Sequence, residues 1–174
     1  MSTDSNSEAA TIYGAGGAAA RITPCLWFAG AAKEAAEFYV TLLPNSAIRH
    51  VQPMIPDPAD PAAGEPGVLI VSFTIGGQPF LALNGNPEHE FTHAVSFSID
   101  CADQAEVDAV WDKLADGGSP VACGWIRDRY GLSWQVVPRA LPRLLADPDP
   151  ARAARVMAAM QQMVKLDVAV LEAA

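Results

Sequence analysis

Few side chains in this sequence have the type and spacing for chemistry. The loudest signal is His89-Glu-Phe-Thr-His93, which reads H-E-x-x-H. On a helix, that spacing puts two imidazoles on one face to hold zinc, with the carboxylate as base. Here Asn84-Gly-Asn-Pro87 precedes it, and Ala94 to Ile99 follows as an alternating run. In extended chain the two histidines stand about 13 Å apart, too far to share an ion. The expectation is therefore an inter-module loop with surface histidines, and His50 is expected on a strand or sheet edge. Cys25, Cys101 and Cys123 are odd in number, widely spaced and without a C-x-x-C. That argues against a disulfide scaffold and a zinc knuckle, and predicts reduced thiols in the cytoplasm. No histidine neighbours Cys25 or Cys123 in sequence, so buried inert thiols are expected over nucleophiles. Ser72 and Ser133 lack a G-x-S-x-G elbow. Gly14-Ala-Gly-Gly17 has no strand before it and is not a phosphate loop.

These groups can act only where secondary structure places them. A short apolar run over residues 21–28 predicts a strand ending at Gly30. Ala35, Phe38, Tyr39 and Leu42 then follow helical spacing, and Pro44 stops the helix. Residues 47–54 predict a strand, and five prolines between 53 and 66 predict a loop. Residues 68–75 and 79–83, around Gly76-Gly77, predict a hairpin. The pattern then restarts. A strand over 94–99 leads to a helix over 105–115 with Val107, Val110, Trp111 and Leu114 on one face. Strands over 121–126 and 133–137 follow, around Asp128 to Gly131. The two helix faces align with one constant offset, which predicts an internal repeat. The carboxylate pairs Glu34/Glu37 and Glu106/Asp108 fall on helix faces turned to solvent. Trp111 and Trp134 are expected between helix and sheet. Asp147-Pro-Asp-Pro150 starts a C-terminal helix with Asp149 as N-cap, carrying Met157, Met160 and Met163. That methionine stripe predicts packing across a dimer or over the mouth of a cleft.

The expected organisation is a tail over 1–20, a domain over 21–146 with modules 21–87 and 93–138, and the C-terminal helix over 147–174, packing on the domain or a dimer partner. The fold class is α+β: paired βαβββ modules forming a curved mixed sheet with a cleft. A chain of 174 residues with 51% hydrophobic and 18% charged residues suits one globular domain. A net charge of −9 with no basic cluster excludes a nucleic-acid partner. The N-terminus lacks a basic start and an apolar core, and no apolar run is long enough for a membrane span.

The stretches Ile22-Thr-Pro-Cys-Leu-Trp-Phe28, Glu34-Ala-Ala-Glu-Phe-Tyr39, Pro79-Phe-Leu-Ala-Leu-Asn-Gly85, Cys123-Gly-Trp-Ile-Arg-Asp-Arg-Tyr-Gly-Leu-Ser-Trp-Gln135 and Asp147-Pro-Asp-Pro150 resemble the PhnB-like family. This family is also known as 3-demethylubiquinone-9 3-methyltransferase and lies in the vicinal-oxygen-chelate superfamily, with glyoxalase I and bleomycin-resistance proteins. The resemblance runs from Arg21 to about Glu172. It implies paired βαβββ modules and a homodimer, and it names no single reaction. Methyltransferase chemistry is the less favoured alternative, because the loop after the first strand, Ala29-Gly-Ala-Ala32, has one glycine where a cofactor loop is usually Gly-rich.

The resemblance also implies where a metal would sit, on cleft-facing His, Gln or Glu from four strands. The matching positions here are Thr23, Asn84, Ala94 and Gln135, the last four residues after the Asp128 to Gly131 turn. Neutral amides and hydroxyls seldom hold a transition metal unaided. A one-residue slip would bring in His93 and Cys25. No cofactor is therefore expected, a divalent metal being the alternative. The expected function is small-molecule binding by Thr23, Cys25, Trp27, Asn84, Ser96, Ser98 and Gln135, joined by Cys123 and Trp125. The alternative is a metal-dependent enzyme of the glyoxalase, dioxygenase or thiol-transferase kind.

Overall fold

The computed structural model describes residues 22–55, 67–85 and 89–174. The expected tail, most of the proline-rich loop and residues 86–88 lie outside the described residues. The chain divides into two compact units, Met1–His89 and Glu90–Ala174.

In the first unit, β1 (Cys25–Phe28) leads into helix α1 (Ala32–Tyr39), followed by β2 (Ala47–Pro53), β3 (Val68–Ile75) and β4 (Gln78–Asn84). The sheet order is β1-β4-β3-β2, so the first strand lies parallel to the last and β2 is an edge. The alternation of β1 is strict: Leu26 and Phe28 are buried, whereas Cys25 and Trp27 are exposed. Pro24 shortens the strand expected over 21–28; its carbonyl accepts from the Leu81 N–H at 2.9 Å. Helix α1 covers one sheet face with Ala32, Ala35, Ala36 and Tyr39. Tyr39 stacks on Phe73 at 6.1 Å and Phe73 on Phe80 at 5.6 Å, so an aromatic column joins helix to sheet.

The second unit repeats this plan. Strand β5 (Ser96–Cys101) leads into α2 (Gln104–Ala115), followed by β6 (Ser119–Pro120), β7 (Trp125–Arg127) and β8 (Ser133–Pro138), in the order β5-β8-β7-β6. Val107, Val110, Trp111 and Leu114 are buried on the helix, and Trp134 is buried on the sheet. The single strand expected over 121–126 is instead a short hairpin. Cys123 (φ 54°) and Gly124 (φ 83°) turn the chain between β6 and β7, and the Trp125 N–H bonds the Ala122 carbonyl at 2.9 Å. A side chain at Gly124 would meet the Val136 carbonyl at 2.9 Å, so glycine is required there by both space and backbone angle.

The C-terminal segment differs from the one helix expected. Helix α3 (Ala140–Leu145) lies before it, and the rest breaks into α4 (Pro150–Gln161) and α5 (Val168–Ala173). Asp149 caps α4, accepting from the Ala151 N–H at 2.9 Å with Pro150 in the first turn. Leu141, Leu144, Val156, Leu166 and Leu171 form a small core of their own, with Met160 and Met163 packed against it. The methionine stripe is thus mostly consumed inside its own unit; Met157 alone of the three stays 40% exposed. No helix among the described residues is long and apolar enough to cross a membrane.

Candidate functional site

Each sheet carries its helix on one face. The register of the ladders assigns the candidate residues to the other. In the second unit, Trp125 pairs Gln135 and Gln135 pairs Ser98, so three strands present one row. The neighbouring row is Arg127, Ser133 and Ser96. The Gln135 amide joins the rows, donating from Nε2 to Ser96 Oγ at 2.9 Å. Ser133 is buried and its hydroxyl lies 3.0 Å from His93 Nδ1. The structure thus brings Ser96, Ser98, Trp125 and Gln135 together, with Ser98 exposed and the other three half-buried.

In the first unit, Cys25 and Trp27 share the helix-free face. Thr23 stands just before β1, half-buried. Trp27 is held on two sides. A Cβ on Gly85 would stand 2.8 Å from the indole Nε1, so the ring lies directly on that glycine. His89 meets the ring edge-on, with centroids 5.2 Å apart. Cys25, expected as a buried thiol, is instead exposed on this face.

Asn84 sits elsewhere. It pairs with Phe28, on the helix side of the sheet. Its Oδ1 accepts from the Ala32 N–H at 2.8 Å, and its Nδ2 donates to the Val68 carbonyl at 2.9 Å. Helix α1 has no side-chain cap from its own N-cap residue, so Asn84 supplies one from across the unit. That bond also fills a donor that a phosphate or nucleotide would use at this helix start. Cys123 lies in the β6–β7 turn, and its N–H goes to the Met163 carbonyl at 2.8 Å.

The H-E-x-x-H stretch is not helical, and its two histidines fall in different units, His89 against Trp27 and His93 beside Ser133. Among the described residues no three His, Cys, Asp or Glu side chains gather closely enough to hold an ion. Thr23, Asn84, Ala94 and Gln135 offer hydroxyl, amide and methyl groups, a donor set that does not fit a transition metal.

The structure makes prominent two residues to which sequence reasoning assigns no role of their own. Asp128 is buried, and three N–H groups reach it: Tyr130 at 2.8 Å, Leu132 at 3.0 Å and the Trp134 indole at 2.8 Å. It anchors the turn that precedes Gln135. The signal was a carboxylate just before a tight turn with Trp six residues on. Ser72 is a hydroxyl in the apolar strand Val68–Ile75, only 5% exposed. Its Oγ has no hydrogen-bond partner among the described residues.

Comparison with known proteins adds to this geometry. A family model described as 3-demethylubiquinone-9 3-methyltransferase matches residues 20–137. The PhnB protein of Bacillus cereus is 32% identical over 68% of this chain and 99% of its own, with a TM-score of 0.61. A protein from Pseudomonas aeruginosa is 23% identical over 69% of this chain and 98% of its own, with a TM-score of 0.58, a likeness of fold. No curated protein matches the chain.

Proposed function

Because this chain belongs to the 3-demethylubiquinone-9 3-methyltransferase (PhnB-like) family of the vicinal-oxygen-chelate superfamily, we propose that it is a small-molecule-binding protein that works without a metal. The observation that supports the reading best is the row Trp125–Gln135–Ser98, tied to Ser96 by the Gln135 amide. One aromatic body beside a few neutral polar groups is the composition of a binding surface: the ring supplies apolar contact and the amide and hydroxyls orient the ligand. Cys25, Trp27 and Thr23 give the first sheet the same composition. Asn84 is left out of the contact set, since both ends of its amide serve the fold.

A native mass spectrum of protein purified without chelator, then offered Ni, Zn, Mn and Fe, tests this. The expected result is no retained metal, with an organic adduct that weakens in Gln135→Ala. One metal per chain, lost in Gln135→Ala, would instead establish the metal-dependent enzyme. Methyl transfer predicts binding of S-adenosylmethionine in the same experiment; Asn84 at the start of α1 and the single Gly30 in that loop speak against it.

We also propose a homodimer in the cytoplasm. Exposed Met157, Val164 and Val170 on the C-terminal segment favour a partner copy, and the three free thiols suit a reducing compartment. Light scattering reads the first directly: a particle of 18.3 kDa at micromolar concentration refutes the dimer.

A further inference from the structure

The guanidinium of Arg127 carries the argument furthest. In a chain of net charge −9 most arginines of the second unit face a carboxylate: Arg129 meets Asp116, Arg139 Asp100, Arg143 Glu172 and Arg152 Asp147. Arg127 forms no ion pair among the described residues. Its Nε donates to the Gly131 carbonyl at 3.3 Å, which leaves both Nη groups to solvent. A Cβ on Gly131 would stand 3.1 Å from the Arg127 Nη2, and φ there is 88°. Glycine at that turn therefore lets the guanidinium rest against it, held in place but unpaired.

The ladders put this cation beside the Trp125–Gln135–Ser98 row. Strand β7 pairs with β8, and β8 with β5, residue for residue without a bulge. Arg127 thus shares the helix-free face with Trp125, two residues away on one strand, their backbones about 7 Å apart. That is the span from the centre of a flat ring, through a carboxylate attached to it, to a guanidinium. The groups are accessible: Arg127 and Ser98 are exposed, and Trp125 and Gln135 are half-buried. His93 borders the Arg127 row, its Nδ1 3.0 Å from the hydroxyl of Ser133, the residue paired with Arg127. Among the described strand residues, the single acid that the register places on this face is Asp100, two rows away and held by Arg139 at 2.8 Å. A neutral ligand covering Arg127 would strip its water and return nothing, whereas a carboxylate replaces that water with two N–H···O bonds. One unpaired cation matches one negative charge.

We propose that the helix-free face of the second sheet binds a planar aromatic monocarboxylate, its ring against Trp125 and its carboxylate forked onto the Arg127 guanidinium. This rests on the small-molecule reading above and assigns the ligand class for that site. The planar fork of arginine suits a carboxylate better than the point charge of lysine does.

Equilibrium dialysis at pH 7 with three probes at up to millimolar concentration tests it: 2-naphthoate, its neutral isostere 2-naphthamide, and cyclohexanecarboxylate, which keeps the charge without the flat ring. The expected result is 2-naphthoate about tenfold tighter than 2-naphthamide, a ratio in the range of a charge-assisted hydrogen-bonded pair, with cyclohexanecarboxylate weaker than 2-naphthoate. In Arg127→Gln the preference for the carboxylate disappears while 2-naphthamide binds as before, which also shows that the variant is folded. Arg143→Gln removes the same charge from an exposed ion pair elsewhere and keeps the preference, so the effect is not one of net charge. Trp125→Leu, apolar but not planar, weakens both naphthalene probes and leaves their ratio unchanged. A preference that survives in Arg127→Gln, 2-naphthamide as tight as 2-naphthoate, cyclohexanecarboxylate as tight as 2-naphthoate, or no binding of any probe overturns the proposal. If that happens while a native adduct still depends on Gln135, the small-molecule reading survives with a ligand of another class. If no probe binds and no adduct is found, both fall.

Discussion

Asp128 shows how one side chain can hold a site it does not line. Its carboxylate accepts from two backbone N–H groups of its own turn and from the Trp134 indole, and Trp134 is the neighbour of Gln135. Three donors replace the water it lost on burial. Asp128→Asn keeps the shape but sets an NH2 against one of those donors. The expected cost is about 3 kcal/mol, read as a lower urea midpoint with an unchanged slope. Cys101 gives a pH signature. Burial, followed by the negative charges of Glu106 and Asp100, raises its thiol pKa to about 12, against 9.0 when unfolded. A raised pKa means the native state holds a proton that the unfolded state releases. The stability is fully present below pH 9 and declines as pH climbs from 9 toward 12, by about 1.4 kcal/mol per pH unit. Unfolding titrations at pH 8, 9.5 and 10.5 check this: wild type should lose stability faster than Cys101→Ala, and equal slopes would refute it.

Secondary elements come together through a few polar ties, and Gln104 is one. It stands in the first turn of α2, donating from Nε2 to the Leu166 carbonyl at 3.2 Å and accepting from the Val168 N–H at 2.8 Å. Lys165 adds an ion pair to Asp108 at 2.7 Å. Together they strap the start of α5 to α2. Gln104→Ala is expected to cost about 2 kcal/mol and to speed amide exchange at Val168 and through α5 while leaving β8 protected. Uniform exchange across the unit would show that the strap is not local. The same scale shows what sequence could and could not reveal. Alternation in Cys25–Phe28 and the shared face of Val107, Val110, Trp111 and Leu114 were legible because burial imposes a period. The β6–β7 hairpin was not, because one αL residue, Cys123, interrupts an otherwise strand-like run. Helix α3 was missed because Pro142 sits inside it. The site was half legible for a related reason. Period-two counting places Trp27 and Gln135, but Asn84 ends on the helix side because the parallel pairing of β1 and β4 fixes its register. Only coordinates show such a pairing. Ser72 looked like one polar residue in an apolar strand until its neighbours were known.

At the level of the whole molecule, the C-terminal helices belong to the second unit as structure, not as an appendage. Deleting residues 151–174 removes Val156, Leu166 and Leu171 from against Leu141 and Leu144. It also strips the Met163 and Val164 carbonyls from the N–H groups of Cys123 and Gly124. Three fully buried apolar side chains are worth roughly 5–9 kcal/mol, comparable with the entire stability of a domain. The truncated chain should therefore lose near-UV circular dichroism from the second unit's tryptophans. A native near-UV spectrum would show that these helices are dispensable.

The pairing of each unit's first strand with its last has a consequence for synthesis. Strand β1 cannot join its ladder until β4 exists, so Cys25–Phe28 must wait for Leu81–Asn84. At ribosomal speeds of about 5–20 residues per second, that wait is roughly 3–11 s. Every described strand pair then closes within its own half of the chain. The nascent first half can have its ladder complete before the last strand of the second has been translated, and each exposed β1 or β5 has only its own half to wait for.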